Sequence, residues 1–308
     1  MSVQQSQGLR KLFEPQFMMP LRLLTEAAET FAEVRRVRSA SDRLGLPMLT
    51  DALLDSELAL GRSGGKLFIL GTGASVLNLT TSQFEHVAKH TSVGVNNWLL
   101  HEFIPDFYAY ECDENPSFFR AFERPAVIEQ QPPLLIIRPS KDKEYGVLQQ
   151  LPEWAKQRAF IYGRTNVWTK AEKNVGADYL ASIRFASKLR APKVLVDNGA
   201  SIVRMLSLGI ERGFREIIFL GVDLQGQHFW QQDPSYLSNL GISDYLGYAD
   251  VGRHATTESR TRPFGVDRFL AAVAKIAYVR NGVRLSVAGA DSLLSSFLPV
   301  YNWDAPGS

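Results

Sequence analysis

Cysteine is almost absent from this 308-residue chain, where Cys112 stands alone. A single thiol excludes an internal disulfide and any metal site built from several cysteines, and it fits a reducing compartment. An excess of one charge is missing too. Lysine and arginine number 34 against 32 acidic residues, and the basic residues are scattered. That balance lacks the electrostatic footprint of a nucleic-acid binder. No stretch reaches the roughly 18 consecutive apolar residues that a membrane-spanning helix needs. The N-terminal MSVQQSQGLRKLF has no apolar core of a signal peptide. The expected location is therefore the cytoplasm, with the inner face of the membrane as the one surface left open.

What the chain does contain is the stretch Lys66–Ser75, KLFIL followed by GTGAS. Four apolar residues bounded by glycine read as a strand buried on both faces. Gly71 and Gly73 at its end let the backbone turn tightly and approach another group closely. In an open α/β sheet this edge is where nucleotides bind, and exposed amides in such a turn hold phosphate or an acidic sugar. The bland alternative is an ordinary strand-to-helix turn. The dinucleotide fingerprint needs a third glycine and a later acidic residue, and the loop continues SVLNLTT instead.

Downstream, short apolar strands are expected at 66–70, 92–95, 107–110, 134–137, 160–162, 194–196, 216–220 and 284–287. Helical patterns fall at about 82–90, 174–189, 200–212 and 264–281. This alternation predicts an α/β fold with a mainly parallel sheet covered on both faces. Residues 1–63 read as an N-terminal helical extension, with helices over 21–44 and 47–60, and 64–308 as one nucleotide-sugar-binding domain. Phe13, Phe17 and Met18 among basic residues invite a membrane surface, whereas Glu26, Glu29 and Glu33 favour packing on the main domain or on a second copy of the chain. Between about 225 and 262 periodicity is lost while aromatics cluster, which predicts an irregular lid.

Candidate chemistry is sparse. His86 and His90 lie four apart, as zinc ligands on one helix face do, but HVAKH lacks the glutamate that metalloprotease chemistry uses. The favoured reading is a pair of surface histidines. Asp223 follows the strand EIIFL and GV at the carboxyl edge; it either binds a metal or ribose, or accepts hydrogen bonds from loop amides. No Asp-x-Asp pair occurs to hold a divalent ion on a diphosphate.

Four stretches occur in a familiar order: GTGASVLNL, VGVNNW at 93–98, GASIVRMLSLGIERGFREIIFLGVDL at 199–224, and VRLSVAGADSLLSSF at 283–297. Together, over about 66–300, they resemble the bacterial sialyltransferases of glycosyltransferase family 42. The resemblance implies a Rossmann-like variant of the GT-A fold and an inverting transfer from CMP-sialic acid to a glycan hydroxyl. It implies no metal and no cofactor beyond the CMP-activated donor. Related transferases of pseudaminic acid, legionaminic acid or Kdo share much of the pattern, and a non-catalytic Rossmann-like binding module is the alternative from another class.

Carried across residue by residue, the resemblance puts Gly71, Thr72, Gly73 and Ser75 on the phosphate-side loop and Asn96 on the donor. Ser201 falls at a helix start facing the donor's carboxylate, and Asn198 stands where the family has arginine. Glu111 stands near a family asparagine. Tyr236, Tyr245 and Tyr248 become the candidate phosphate donors in the lid. His254 is the implied base, with Tyr248 as its competitor in YLGYA. Because no Asp-x-Asp pair is present, donor turnover is expected to survive excess EDTA. Activity lost to EDTA and restored by manganese or magnesium would instead make Asp223 a metal ligand.

Overall fold

The computed structural model describes residues 15–59, 65–112, 119, 121–129, 132–139, 142–167, 172–189, 192–225, 229–230, 238, 255–257 and 264–304. The chain opens with α1 (Pro15–Leu44) and α2 (Asp51–Ala59), then β1 (Lys66–Leu70), α3 (Thr81–Val87), β2 (Thr91–Val95) and β3 (Phe107–Tyr110). Next come α4 (Pro125–Glu129), β4 (Leu134–Ile137), α5 (Asp142–Gln149), α6 (Glu153–Gln157), β5 (Ala159–Ile161) and β6 (Gly163–Asn166). The last part holds α7 (Val175–Ala186), β7 (Val194–Asp197), α8 (Ser201–Glu211), β8 (Glu216–Leu220), α9 (Val266–Asn281) and β9 (Arg284–Val287).

Seven strands form one parallel sheet in the order β5-β4-β3-β2-β1-β8-β9. The expected parallel α/β architecture is therefore present. β1 is central because it alternates two buried sets. Leu67 and Ile69 enter the core beneath α7, α8 and α9, while Phe68 and Leu70 enter the opposite core with Trp98, Tyr108 and Leu220. Burial on both faces explains why its sequence is a continuous apolar run. Strand order reverses at β1, which has β2 on one side and β8 on the other. The carboxyl ends of β1 and β8 thus form the topological switch point.

Two strand expectations need correction. The strand at 194–196 is not in the main sheet; β7 pairs with β6 in a separate two-stranded parallel sheet. The expected strand at 160–162 ends at Ile161, and after Tyr162 the chain passes into β6. β6 reads GRTN, which carries no apolar signal, so only its pairing reveals it. Gly163 lets α1 approach, since a Cβ there would sit 2.9 Å from the Glu33 Cγ. Residues 47–49 join the two sheets through hydrogen bonds from Leu49 N–H to the Ile161 carbonyl and from Lys193 N–H to the Leu49 carbonyl. Val34, Val37, Leu49 and Leu54 lie in the same cores as the strands.

His86 lies on α3 and His90 beyond its end, so they share no helix face although their ring centroids are 4.9 Å apart, and the surface reading fails for His90. His90 is buried and stacks on Phe68. His86 is partly buried, within 2.9 Å of the Tyr301 hydroxyl. α8 ends as expected, with Gly213 following at φ +78. No helix among the described residues is long and apolar enough to cross a membrane.

On the amino edge, buried Lys193 donates to Asp51 at 2.7 Å and to Glu211, tying α2 and α8 to β7. Removing one partner of a buried pair leaves the other charge uncompensated, which costs about 3–5 kcal/mol. Lys193→Ala is accordingly expected to lower the unfolding free energy by about 3 kcal/mol in urea denaturation. Pairing it with Glu211→Leu should recover much of the loss. An unchanged midpoint in the single variant would show that the cluster is solvated.

Candidate site at the carboxyl edge of the sheet

The loops after β1 and β8 are bound to each other. Gly71 N–H donates to the Leu220 carbonyl and Gly73 N–H to the Gly221 carbonyl, each at 2.7 Å. Asp223 completes the junction by accepting from the Ser75 backbone N–H at 2.9 Å and the Ser75 hydroxyl at 2.5 Å. Burial raises the Asp223 pKa, the two Ser75 bonds lower it, and Asp291 raises it again, for a net upward shift. Of the two readings of Asp223, hydrogen bonding to the loop is the one observed.

Three of the amides expected to be open at Gly71–Ser75, those of Gly71, Gly73 and Ser75, are already engaged within the protein. The glycines serve close approach of backbone to backbone. A Cβ at Gly71 would lie 2.6 Å from the Gly221 carbonyl oxygen, and one at Gly73 would lie 2.3 Å from the Asp223 carboxylate. Thr72 is buried, and its carbonyl accepts the Trp230 N–H at 3.1 Å. The chain beyond β8 thus returns over the β1 loop, where Trp230 packs edge-on against His101 and Trp98. Burial, with Arg124 nearby, pushes the His101 pKa down to about 4, so this ring is a neutral packing element at physiological pH.

Non-glycine residues with left-handed backbone follow three strands of the sheet: Asn96 after β2, Cys112 after β3 and Leu224 after β8. Such conformations are costly for L-residues and gather where a structure over-determines them for function. Asn96 is exposed at φ +54, and its carbonyl accepts the Tyr108 hydroxyl. That bond fixes the backbone of residue 96 just past β2.

The strongest electrostatic feature lies between β3, β7 and the start of α8. Asp197, with no exposed side-chain surface, ends β7. Its Oδ1 accepts the N–H groups of Gly199 at 2.7 Å and Ala200 at 3.1 Å, and its Oδ2 accepts from Arg164 and Arg204 at 3.0 Å each. Arg204 also donates to Glu111 and to the Ser201 hydroxyl, the latter at 3.0 Å, while Ser201 donates to Glu111. Burial alone would lower the Arg204 pKa; Tyr162, Asp197 and Glu111 outweigh it, and the guanidinium is held charged. Asn198 lies beside this cluster in sequence, and its Nδ2 is buried without an acceptor among the described residues.

Of the residues expected from sequence, Gly71, Thr72, Gly73, Ser75, Asn96, Asn198, Ser201 and Asp223 all follow strand ends on this edge. Tyr236, Tyr245, Tyr248 and His254 lie outside the described residues, as does most of the expected lid. The connection leaves β8 at the carboxyl edge and enters α9 at the same edge, as a parallel crossover must. Asp197 and Arg204 were missed. Their signals were available: Asp-Asn-Gly marks a turn whose carboxylate reaches amides two residues on, and an arginine within the otherwise apolar SIVRMLSLGI demands a buried partner.

No protein-family model matches the chain, and no curated protein matches it in sequence. Among solved structures it is similar to the monofunctional α-2,3-sialyltransferase Cst-I from Campylobacter jejuni, at 12% identity over 77% of this chain and 80% of that one, with a TM-score of 0.42. It is also similar to the sialyltransferase CstII from Campylobacter jejuni in complex with cytidine-5′-monophosphate, at 15% identity, 79% and 85% coverage and a TM-score of 0.39. A third is the MAf glycosyltransferase from Magnetospirillum magneticum AMB-1, at 13% identity, 81% and 34% coverage and a TM-score of 0.38.

The backbone of Asn96 generates a prediction that separates strain from contact. Asn96→Ala should destabilise the fold by about 1 kcal/mol, because a Cβ without asparagine's local hydrogen bonding disfavours this conformation. Asn96→Gly should leave stability equal or higher. Equal thermal stability of both variants would show that residue 96 relaxes out of the left-handed region.

Proposed function

We propose that the chain is an inverting glycosyltransferase that needs no metal and moves a CMP-activated acidic sugar, sialic acid or a near relative, onto a glycan hydroxyl. The observation that carries the reading is the convergence of the four ordered motifs on one edge of a parallel sheet. Three left-handed residues follow strands there, beside the buried Arg204–Asp197 pair. In open α/β sheets that edge receives nucleotide ligands.

In this reading Asn96, Asn198 and Ser201 contact the donor, over a floor made by Gly71, Thr72, Gly73, Ser75 and Asp223. His254 takes the proton of the acceptor hydroxyl while its oxygen attacks the anomeric carbon. The bond from that carbon to the phosphate oxygen breaks, and CMP departs with the electron pair. Tyr236, Tyr245 and Tyr248 donate hydrogen bonds to the departing phosphate, and such aimed donors can serve where other enzymes use a metal. Histidine suits the base because its ordinary pKa lies near the working pH. A tyrosine phenol, whose ordinary pKa is about 10, suits donation instead, the role given to Tyr248. The protein works in the cytoplasm, where CMP-sugars and a nascent surface glycan meet.

His254→Ala should lower the transfer rate by about 10²-fold or more while CMP affinity stays nearly constant. The wild-type rate should fall as acid protonates the imidazole, because only the neutral ring accepts the proton, and this limb should vanish in the variant. If His254→Ala keeps its activity and Tyr248→Phe loses it, YLGYA is the catalytic segment.

A further inference from the structure

Arg204 has two carboxylate partners of different kinds. Asp197 is fixed: it is wholly buried and saturated by two arginines and two amides. Glu111 is held through one oxygen only, by Arg204 and Ser201, and its side chain is 46% exposed. Its second carboxylate oxygen has no hydrogen-bond partner among the described residues. Arg204 is incompletely satisfied in turn, because its Nε is buried without an acceptor. A guanidinium binds an oxyanion best through two parallel N–H groups. Glu111 therefore engages the open side of Arg204 in a partial way.

Charge points the same way. Arg164 and Arg204 carry two positive charges against the one of Asp197, and Glu111 supplies the second negative charge. That place sits at the carboxyl edge, between the end of β3 and the first residue of α8. A half-exposed carboxylate loses little on turning to water, since exposed ion pairs contribute weakly. Arg204 stays paired with Asp197 when Glu111 turns away, and its Nη2–Nε side is then left for another oxyanion.

We infer that Glu111 is a resident, displaceable counterion, and that Arg204 with Ser201 forms a seat for one oxyanion of the ligand. Resting on the transferase reading, this makes Glu111 the specificity-determining residue. A ligand enters the seat only if it brings a carboxylate or phosphate able to replace the glutamate, and neutral sugars leave Glu111 in place.

Calorimetric titration of wild type, Glu111→Ala and Glu111→Gln tests this with three probes: N-acetylneuraminic acid, its neutral methyl ester, and CMP. Glu111→Ala is expected to bind the free acid at least tenfold more tightly than wild type, with no gain for the ester. Glu111→Gln, which keeps the size and folds if alanine does not, should show a smaller gain of the same sign. A gain for CMP in place of the acid would identify phosphate as the occupant. No gain for either anion, or a loss, overturns the exchange. Failure of all three proteins to bind CMP would instead overturn the transferase reading, while the acid-against-ester comparison still judges the seat.

Discussion

A carboxylate with no access to water governs the arrangement of this protein's working edge. Asp197 ends β7, and burying its charge is tolerable only with dense compensation. Two backbone amides from the turn into α8 and two guanidinium groups supply it. Each partner fixes something else. The amides set where α8 begins, Arg164 holds β6 beside β7, and Arg204 extends from α8 to Glu111 after β3. A second network continues from Arg164, whose N–H donates to Glu33 of α1, and Glu33 also pairs with Arg36 and Arg138. Burial raises the Glu33 pKa, but the arginines prevail and the net shift is downward, so this carboxylate too is held charged. The N-terminal helix is thus connected by charge to the same edge as the candidate site.

The other half of that edge is organised by backbone proximity. β1 and β8 run side by side, and their loops stay in register past the strand ends because Gly71 and Gly221 have no side chains to separate them. Asp223 and Ser75 close the junction. The switch point of the sheet is consequently braced, and the open groups of the edge are found towards β2, β3 and α8. Asn96 and Glu111 are exposed side chains there.

The strands of the main sheet were legible because a strand buried on both faces has to be a short apolar run, as in KLFIL, LLII and EIIFL. β6 was not legible, since GRTN is specified by its pairing with β7 and by the room Gly163 gives α1. The GTGAS loop is legible as a tight turn, but glycine signals close approach without saying what approaches, and the β8 loop is one such neighbour. The Asp197–Arg204 pair needed a step that periodicity cannot make, because its members are separated by a turn and meet only once α8 folds. Glu111 departs from the family pattern in sequence, yet only the fold joins it to Ser201 and Arg204.

On the proposed function, this edge binds a cytidine monophosphate unit. Thermal denaturation with CMP, CDP, UDP, GDP and NAD in turn tests it most directly, because a ligand that binds only the folded state stabilises it by mass action. The account predicts a saturable rise in Tm with CMP, larger than with any other nucleotide at equal concentration. A larger rise with UDP or NAD, or none with CMP, would contradict it.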